Sequence, residues 1–363
     1  MIERFFSEFQ KQIQPLVERT WKPYSRLFLL SDDTQWVISE EMKSLAQIAC
    51  DLKIRLGNPA RLNKIKGQVI FYGSRYSVTP IIRRGMPLHR IGFPYFHGLP
   101  GTGYPEFDEF FQDVCQFHDR ISRIQVTHTE MHEKILESGI SPQKVFRIPI
   151  GIDISNFPKQ TPALRLEARH RLDIPQSAFV VGSFQKDGNG WAEGFTPKLI
   201  KGPDIFLKVV GALKNRIPEI FVLLTGPSRG FIKKGLENLK VPYRHVYLDE
   251  YSKINIYYQA LDLYLVTSRQ EGGPKALLES MASGIPLVTT RVGHAMDLVK
   301  HGTNAWMVDV EDVDGLAYWS EYIYQHQASL GMSLQLARLS AEENSYNSQL
   351  SLWSKFMQGF VKK

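Results

Sequence analysis

Twice along this chain, short apolar runs of strand character alternate with segments of helical periodicity, and that repeated alternation restricts the fold more than any other feature. The first series reads as strands at Arg26–Ser31, Gln68–Tyr72, Ile91–Phe96, Ile124–Thr127 and Val145–Ile148, with helices from about Thr34 to Leu52, Tyr104 to His118 and Glu130 to Glu137 between them. Pro94 weakens the third of these strands as a central one. A Pro- and Gly-containing stretch, Pro149–Pro162, interrupts the pattern as a linker. The alternation restarts with strands at Phe179–Phe184, Ile220–Leu224, His245–Leu248, Leu261–Val266 and Ile285–Thr289. Two β/α series predict two Rossmann-like, doubly wound parallel sheets, here spanning 1–155 and 156–340. A final helix within 341–363 carries Leu350, Trp353, Phe356 and Met357 on one stripe and is expected to cross back to the first domain. Ligands of such sheets sit beyond the carboxyl ends of the strands, so two facing domains would share an interdomain cleft.

Bulk properties agree with a two-domain α/β chain and exclude several classes. The length of 363 residues suggests two domains, and 43% hydrophobic with 22% charged residues is ordinary for a large core. No apolar run approaches the ~18 residues of a membrane span. The opening MIERFFSEFQ is acidic early and has no small-residue cleavage site, so no signal peptide is expected. Cys50 and Cys115 form no disulfide framework and have no metal-site spacing. These features point to the cytoplasm. The net charge of +7 is spread along the chain, a surplus of four over residues 1–160 and of three over the rest. That fits an anionic small ligand or membrane surface, and no nucleic-acid arm. Phe5, Phe6, Phe9, Ile13, Leu16 and Val17 recur at helical spacing; such a stripe is a core-facing helix first, and a peripheral contact with the inner face of a membrane second.

The chemistry concentrates in Glu271-Gly-Gly-Pro-Lys-Ala-Leu-Leu-Glu279, after the strand ending at Val266. Gly272 and Gly273 allow close backbone approach to a ligand, and Pro274 suits the start of a helix. The free N–H groups of a helix start attract an anion. Seven residues separate the two glutamates, and the second can accept hydrogen bonds from vicinal hydroxyls such as those of a ribose. Taken singly, Glu271 would be an N-terminal acid and Glu279 a solvated helix residue; the pair in one strand–turn–helix is more specific. A second segment, Gly182-Ser-Phe-Gln-Lys-Asp-Gly-Asn-Gly190, reads as a long flexible loop. Its glycines do not have dinucleotide-fingerprint spacing, and Trp191 interrupts them. The segment leads to Lys201-Gly202 at a helix start, where a lysine opposes the helix dipole unless an anion joins it.

With these motifs the sequence resembles the retaining glycosyltransferases of family four, also described as glycosyl transferases group 1, which have the GT-B fold. The Glu–seven residues–Glu motif carries the resemblance, with Gly-Gly-Pro where the family commonly has an aromatic–Gly pair. Ser280-Met-Ala-Ser-Gly-Ile-Pro-Leu-Val-Thr-Thr290, Gly293 and His301-Gly-Thr-Asn304 extend it, most strongly from about Val180 to Leu316. The resemblance implies that Glu271 lies near the transferred sugar, Glu279 binds the ribose and Lys201 binds the donor diphosphate. It further implies that His97, in Tyr95-Phe-His97-Gly98, contacts the sugar. Arg147-Ile-Pro-Ile-Gly-Ile-Asp153 resembles the family's entry to the interdomain linker. Ser183 stands where the family often has Arg, so Lys186 is the candidate second cation. Gly226, Arg229 and Leu248 are candidates to border the nucleotide, with Arg229 alternatively a solvated turn residue. Asp33 with its neighbour Asp32, Trp36 and Arg75 follow first-domain strands and are candidate acceptor or cleft contacts.

The activity so implied is retaining transfer of a sugar from a UDP- or GDP-linked donor to a glycan or lipid-linked acceptor, as in polysaccharide biosynthesis. No cofactor and no metal are expected. Asp312-Val-Asp314 has metal-site spacing but sits where a helix cap belongs. The alternatives are a nucleotide-dependent oxidoreductase, which lacks its glycine fingerprint here, and a catalytically silent sugar-binding relative.

Overall fold

The computed structural model describes residues 23–31, 37–59, 66–86, 88–190, 192–248 and 250–362. The expected N-terminal helix, together with Asp32, Asp33, Trp36 and Trp191, lies outside the described residues. The chain divides into two compact units, one built from 1–148 and 346–363, the other from 149–345.

The first unit is a parallel sheet of β1 (Arg26–Leu30), β2 (Arg55–Leu56), β3 (Val69–Tyr72), β4 (Arg90–Tyr95), β5 (Arg123–Val126) and β6 (Val145–Arg147), in the order β2-β1-β3-β4-β5-β6. Its strands are apolar on both sides, because helices cover both faces. Phe28, Ile70, Phe93 and Ile124 pack one way against Val78, Ile82 and Val114. Leu27, Val69 and Phe71 pack the other way against Leu45, Ala49 and Trp353. Trp353 belongs to the helix Leu350–Met357, so the end of the chain completes this unit's second face. Its Phe356 meets Phe71 edge to face with ring centres 5.8 Å apart. Arg123 Nε donates to the Phe356 carbonyl at 3.1 Å, which satisfies an acceptor that the helix end leaves open, while Arg123 Nη2 donates to the Gln358 carbonyl and Arg90 Nη1 to that of Phe360, both at 2.8 Å.

The expected single helix over 341–363 is instead two. The helix Gly331–Glu343 stops, and Leu350–Met357 starts after a turn. Asn344, Ser345, Asn347 and Ser348 break the run, since their side chains compete for backbone groups. Asn344 Nδ2 donates to the Ser340 carbonyl at 2.9 Å, and the Asn344 carbonyl accepts from the Ile152 N–H.

The second unit repeats the parallel architecture with β7 (Phe179–Ser183), β8 (Ile220–Thr225), β9 (Tyr243–Val246), β10 (Leu263–Val266), β11 (Leu287–Thr290) and β12 (Trp306–Val308). Their order, β12-β11-β10-β7-β8-β9, makes the chain run outward from β7 and then return to β7's other side at β10. The loops after β7 and β10 therefore diverge at a topological switch point, where such sheets form crevices. β9 begins two residues before the expected start at His245 and ends at Val246, so Tyr247 and Leu248 follow it. The two-residue β2 and three-residue β12 were too short to show as runs. Among the described residues no helix is long and apolar enough to cross a membrane.

Candidate active site

The site grows from the switch point of the second sheet. After β7 the chain forms a hairpin in place of the expected flexible loop. Lys198 N–H donates to the Asp187 carbonyl at 2.7 Å, Asn189 N–H to that of Thr196 at 2.9 Å, and Gly188 pairs antiparallel with Pro197. The hairpin is pinned by Ser228, whose Oγ donates to the carbonyls of Gly190 at 2.9 Å and Ala192 at 3.0 Å. Gly188 and Gly194 fit because a Cβ at either would lie 2.4 Å or less from the Ser228 carbonyl oxygen. The N–H of Phe231 donates to the Gly194 carbonyl, so the start of the helix Gly230–Leu239 is capped by this hairpin.

The chain then reaches a tight turn, Leu199–Lys201, and Gly202 in the left-handed region at φ 63°. A Cβ on Gly202 would sit 1.8 Å from the Thr267 carbonyl oxygen, so only glycine lets this turn lie against the exit of β10. Thr267 Oγ1 donates to the Gly202 carbonyl at 2.9 Å, and Arg269 N–H to that of Ile200 at 2.8 Å. Arg269 also grips Asp204 with two hydrogen bonds, at 2.8 and 2.7 Å. Asp204 is held below the usual carboxylate range chiefly by that guanidinium. The two loops are thereby locked together from opposite sides.

That lock brings Lys201 and Glu271, seventy residues apart, into direct contact: Lys201 Nζ lies 2.6 Å from both carboxylate oxygens. Ser268 Oγ donates to Glu271 Oε1 at 2.9 Å, and Gln185 Nε2 donates to the Lys201 carbonyl at 2.9 Å. From the far side, Gly293 presses on the same turn; a Cβ there would lie 2.4 Å from the Glu271 carbonyl oxygen. The turn Glu271–Pro274 includes the buried Gly272 and Gly273, and Pro274 is the cap residue of the helix Lys275–Ser283. Glu279 is 3% exposed, not solvated as an isolated helix glutamate would be, and its Oε2 accepts from the buried Tyr258 hydroxyl at 2.8 Å. Lys186, half-buried at the base of the hairpin, has its pKa lowered by burial and then by the charge of Lys198. Two ammonium groups thus share this end of β7.

Other predicted positions make contacts within the fold. Arg229, 1% exposed, is neither solvated nor open: its guanidinium donates to the carbonyls of Ser183 and Thr225 at 2.7 and 2.8 Å and pairs with buried Asp187 at 3.0 Å. Burial pushes the Asp187 carboxyl up, and Arg229 opposes that shift. The Gly226 carbonyl lies 2.8 Å from His245 Nε2, and Leu248 is buried in the core. Asp312 caps the helix Val313–Gln325, its Oδ1 accepting from the Gly315 N–H at 2.8 Å.

In the first unit, Arg75 opens the helix Arg75–Arg84 after β3, and His97 follows β4. Phe107 joins them: the His97 ring stacks on it at 11° between planes, and the Arg75 guanidinium lies 5.8 Å from its centre. Arg75 Nη1 donates to the Glu106 carbonyl at 2.7 Å, which fixes the guanidinium beside Tyr76.

Residues 195–330 match the model of the family described as glycosyl transferases group 1. These residues lie within the second unit. The chain is similar to the D-inositol 3-phosphate glycosyltransferase of Thermobispora bispora, with 27% identity over 265 residues, 63% of this chain and 56% of that protein. It is also similar to the mannosylfructose-phosphate synthase of Agrobacterium fabrum, with 24% identity over 256 residues, 67% of this chain and 55% of that one. The chain thus spans about half the length of these curated relatives. Among solved structures, Anabaena HepE in complex with UDP and glucose matches with a TM-score of 0.72 at 16% identity, over 92% of this chain and 99% of that one. At this identity the likeness is one of fold, two parallel six-stranded sheets with flanking helices, of the GT-B class.

Within the second unit, sequence reasoning missed Ser268, Lys198 and Tyr258. Ser268 and Lys198 had a signal, being polar residues beside the motif strand and three positions before Lys201. Tyr258 had none, because it reaches Glu279 only through the fold.

Proposed function

We propose that this chain is a retaining glycosyltransferase that moves a sugar from a UDP- or GDP-linked donor to a glycan or lipid-linked acceptor without a resident metal. The observation that carries this reading is the Lys201–Glu271 contact, with Glu279 seven residues further on, at the switch point of the second sheet. Breaking the sugar–phosphate bond leaves negative charge on the diphosphate and positive charge on the sugar. Fixed cations offset the first: Lys201, with Lys186 and its neighbour Lys198, takes the diphosphate. The N–H groups of the Gly272–Gly273 turn add to them. Glu271 turns toward the sugar when the diphosphate takes over Lys201, and Glu279 holds the ribose. In the first unit, His97 on its Phe107 platform meets the sugar, and Arg75 meets the acceptor. The acceptor hydroxyl attacks the anomeric carbon from the face that the phosphate leaves. One C–O bond breaks and one forms, and the hydroxyl proton passes to a donor phosphate oxygen, so no separate base is needed.

The relatives named for sugar transfer and a fold neighbour solved with UDP and glucose support this reading of the donor class. A thermal-shift screen against UDP, GDP and their sugars, followed by transfer and donor-hydrolysis assays, tests it. A nucleotide diphosphate should raise Tm, and Lys201→Ala should abolish that shift and lower kcat by about 10²–10³. A shift that survives Lys201→Ala sinks the phosphate assignment. Absence of turnover across the donor panel sinks the enzymatic reading.

A further inference from the structure

Glu279 sits on a helix whose residues are almost all buried, so its side chain has few ways to be held and Tyr258 supplies one of them. Tyr258 comes from a separate element, the short helix Ile254–Tyr258, and its hydroxyl donates to Glu279 Oε2 at 2.8 Å. Its ring is fixed on three sides, with centres 6.0 Å from Phe157, 4.9 Å from Phe184 and 5.3 Å from Tyr264. The Tyr264 hydroxyl in turn accepts the Phe184 N–H at 3.0 Å, just where β7 ends and the segment bearing Lys186 begins. Burial raises the Tyr258 pKa well above its ordinary value, so the hydroxyl keeps its proton through the working range and remains a donor.

We propose that Tyr258 is a positioning residue that fixes the Glu279 carboxylate for the two hydroxyls of a nucleotide ribose, and so sets the preference of the site for ribonucleoside over dideoxyribonucleoside diphosphates. This rests on the reading that Glu279 binds ribose. A carboxylate free to rotate accepts hydrogen bonds from vicinal hydroxyls only after losing rotamer freedom. A carboxylate already held by a rigid phenol has lost that freedom in the folded protein, and the gain appears in binding. Phe184, Tyr258 and Tyr264 form one buried aromatic cluster, so the grip on Glu279 is tied to the same strand end that carries Lys186. Ribose and diphosphate contacts are then held in fixed register.

The test is calorimetric titration of the full chain with the nucleoside diphosphate that raises Tm, alongside its 2′,3′-dideoxy analogue. Tyr258→Phe keeps the ring and deletes the hydroxyl. It should weaken the ribonucleotide about tenfold and leave the dideoxy Kd within about twofold, with KM for the donor rising in step and kcat nearly unchanged. Tyr264→Phe removes a hydroxyl that hydrogen-bonds Tyr258 and accepts the Phe184 N–H but keeps the Tyr258 hydroxyl for Glu279, so it should lower the ribo-to-dideoxy ratio less than Tyr258→Phe does. Glu279→Gln separates the two readings. If Glu279→Gln lowers the ratio and Tyr258→Phe does not, positioning by Tyr258 is overturned while the ribose role stands. If Glu279→Gln leaves the ratio intact, the ribose role itself is overturned, and the proposal with it.

Discussion

The carboxyl-end loops of the two sheets hold their candidate site side chains by opposite means. In the second unit the backbone does the holding. Gly202 and Gly293 press loops together at distances that exclude any Cβ, and Lys201, Glu271 and Ser268 hydrogen-bond inside that frame. In the first unit aromatic faces do it. His97 stacks on Phe107, and Arg75 lies beside Phe107 and Tyr76, tied by hydrogen bonds to the Glu106 carbonyl and the Tyr76 hydroxyl. A frame of close backbone contacts suits a ligand common to many enzymes, such as a diphosphate, because it fixes charges within a fraction of an ångström. Aromatic platforms hold a ring or a guanidinium with more lateral freedom, which suits a partner that varies.

The largest expected effect breaks the backbone frame. Gly202→Ala puts a Cβ 1.8 Å from the Thr267 carbonyl oxygen in a left-handed conformation, so the Lys201 turn must move off β10. The clash and the conformational cost together should destabilise the second unit by about 3 kcal/mol or more. Hydrogen exchange of the amides at β7 and β10 should accelerate, those at β3 and β4 should not, and the nucleotide-induced Tm shift should vanish. Unchanged exchange at β10 would mean that the frame is not what holds Lys201.

The same contrast explains what the sequence made legible. Parallel strands buried on both faces appear as continuous apolar runs, so most strands of both sheets could be read directly, and β2 and β12 could not because they are only two and three residues long. Gly202 was visible because local turn chemistry demands a glycine there, whereas Lys201 and the Glu271–Glu279 spacing stood out through the family motif they resemble. Arg229 looked like a ligand because a cation after a strand end resembles an anion site; only the fold shows that Asp187, forty-two positions earlier, takes its charge. The hairpin after β7 looked flexible because glycines signal freedom in sequence, whereas here Gly188 and Gly194 are required by close contact with Ser228. The break at Asn344 in the last helix was written in its Asn and Ser residues, but the amphipathic stripe beyond masked it.

A smaller effect tests the aromatic side of the comparison. Phe107→Leu keeps much of the buried volume and removes the ring face under His97 and Arg75. Stability should fall by only about 1–1.5 kcal/mol. On the proposed reading, kcat/KM for transfer should fall further than donor hydrolysis, since His97 and Arg75 meet the sugar and acceptor while the diphosphate frame is untouched. Equal losses in both reactions would remove the distinction drawn between the two sites.

The smallest effect is electrostatic. His245 on β9 bonds the Gly226 carbonyl, and its pKa is lowered, first by burial and then by Arg229 and Lys233, against the raising influence of that carbonyl and Glu193. A folded-state value below the unfolded one means that the unfolded chain takes up the proton first. The second unit should therefore keep its full stability above the ordinary histidine pKa of about 6.5 and lose some as pH falls through the window below it. In the first unit, burial lowers His89 and His132 in the same direction, so both units should soften in acid. His245→Gln keeps a donor for Gly226 and removes the titration. Hydrogen exchange at pH 7.5 and pH 5 should then show a flatter acid response at β8 and β9 and an unchanged one at β3 and β4. If both units flatten together, the acid response belongs to the whole chain and the separation of the two loop systems does not extend to their electrostatics.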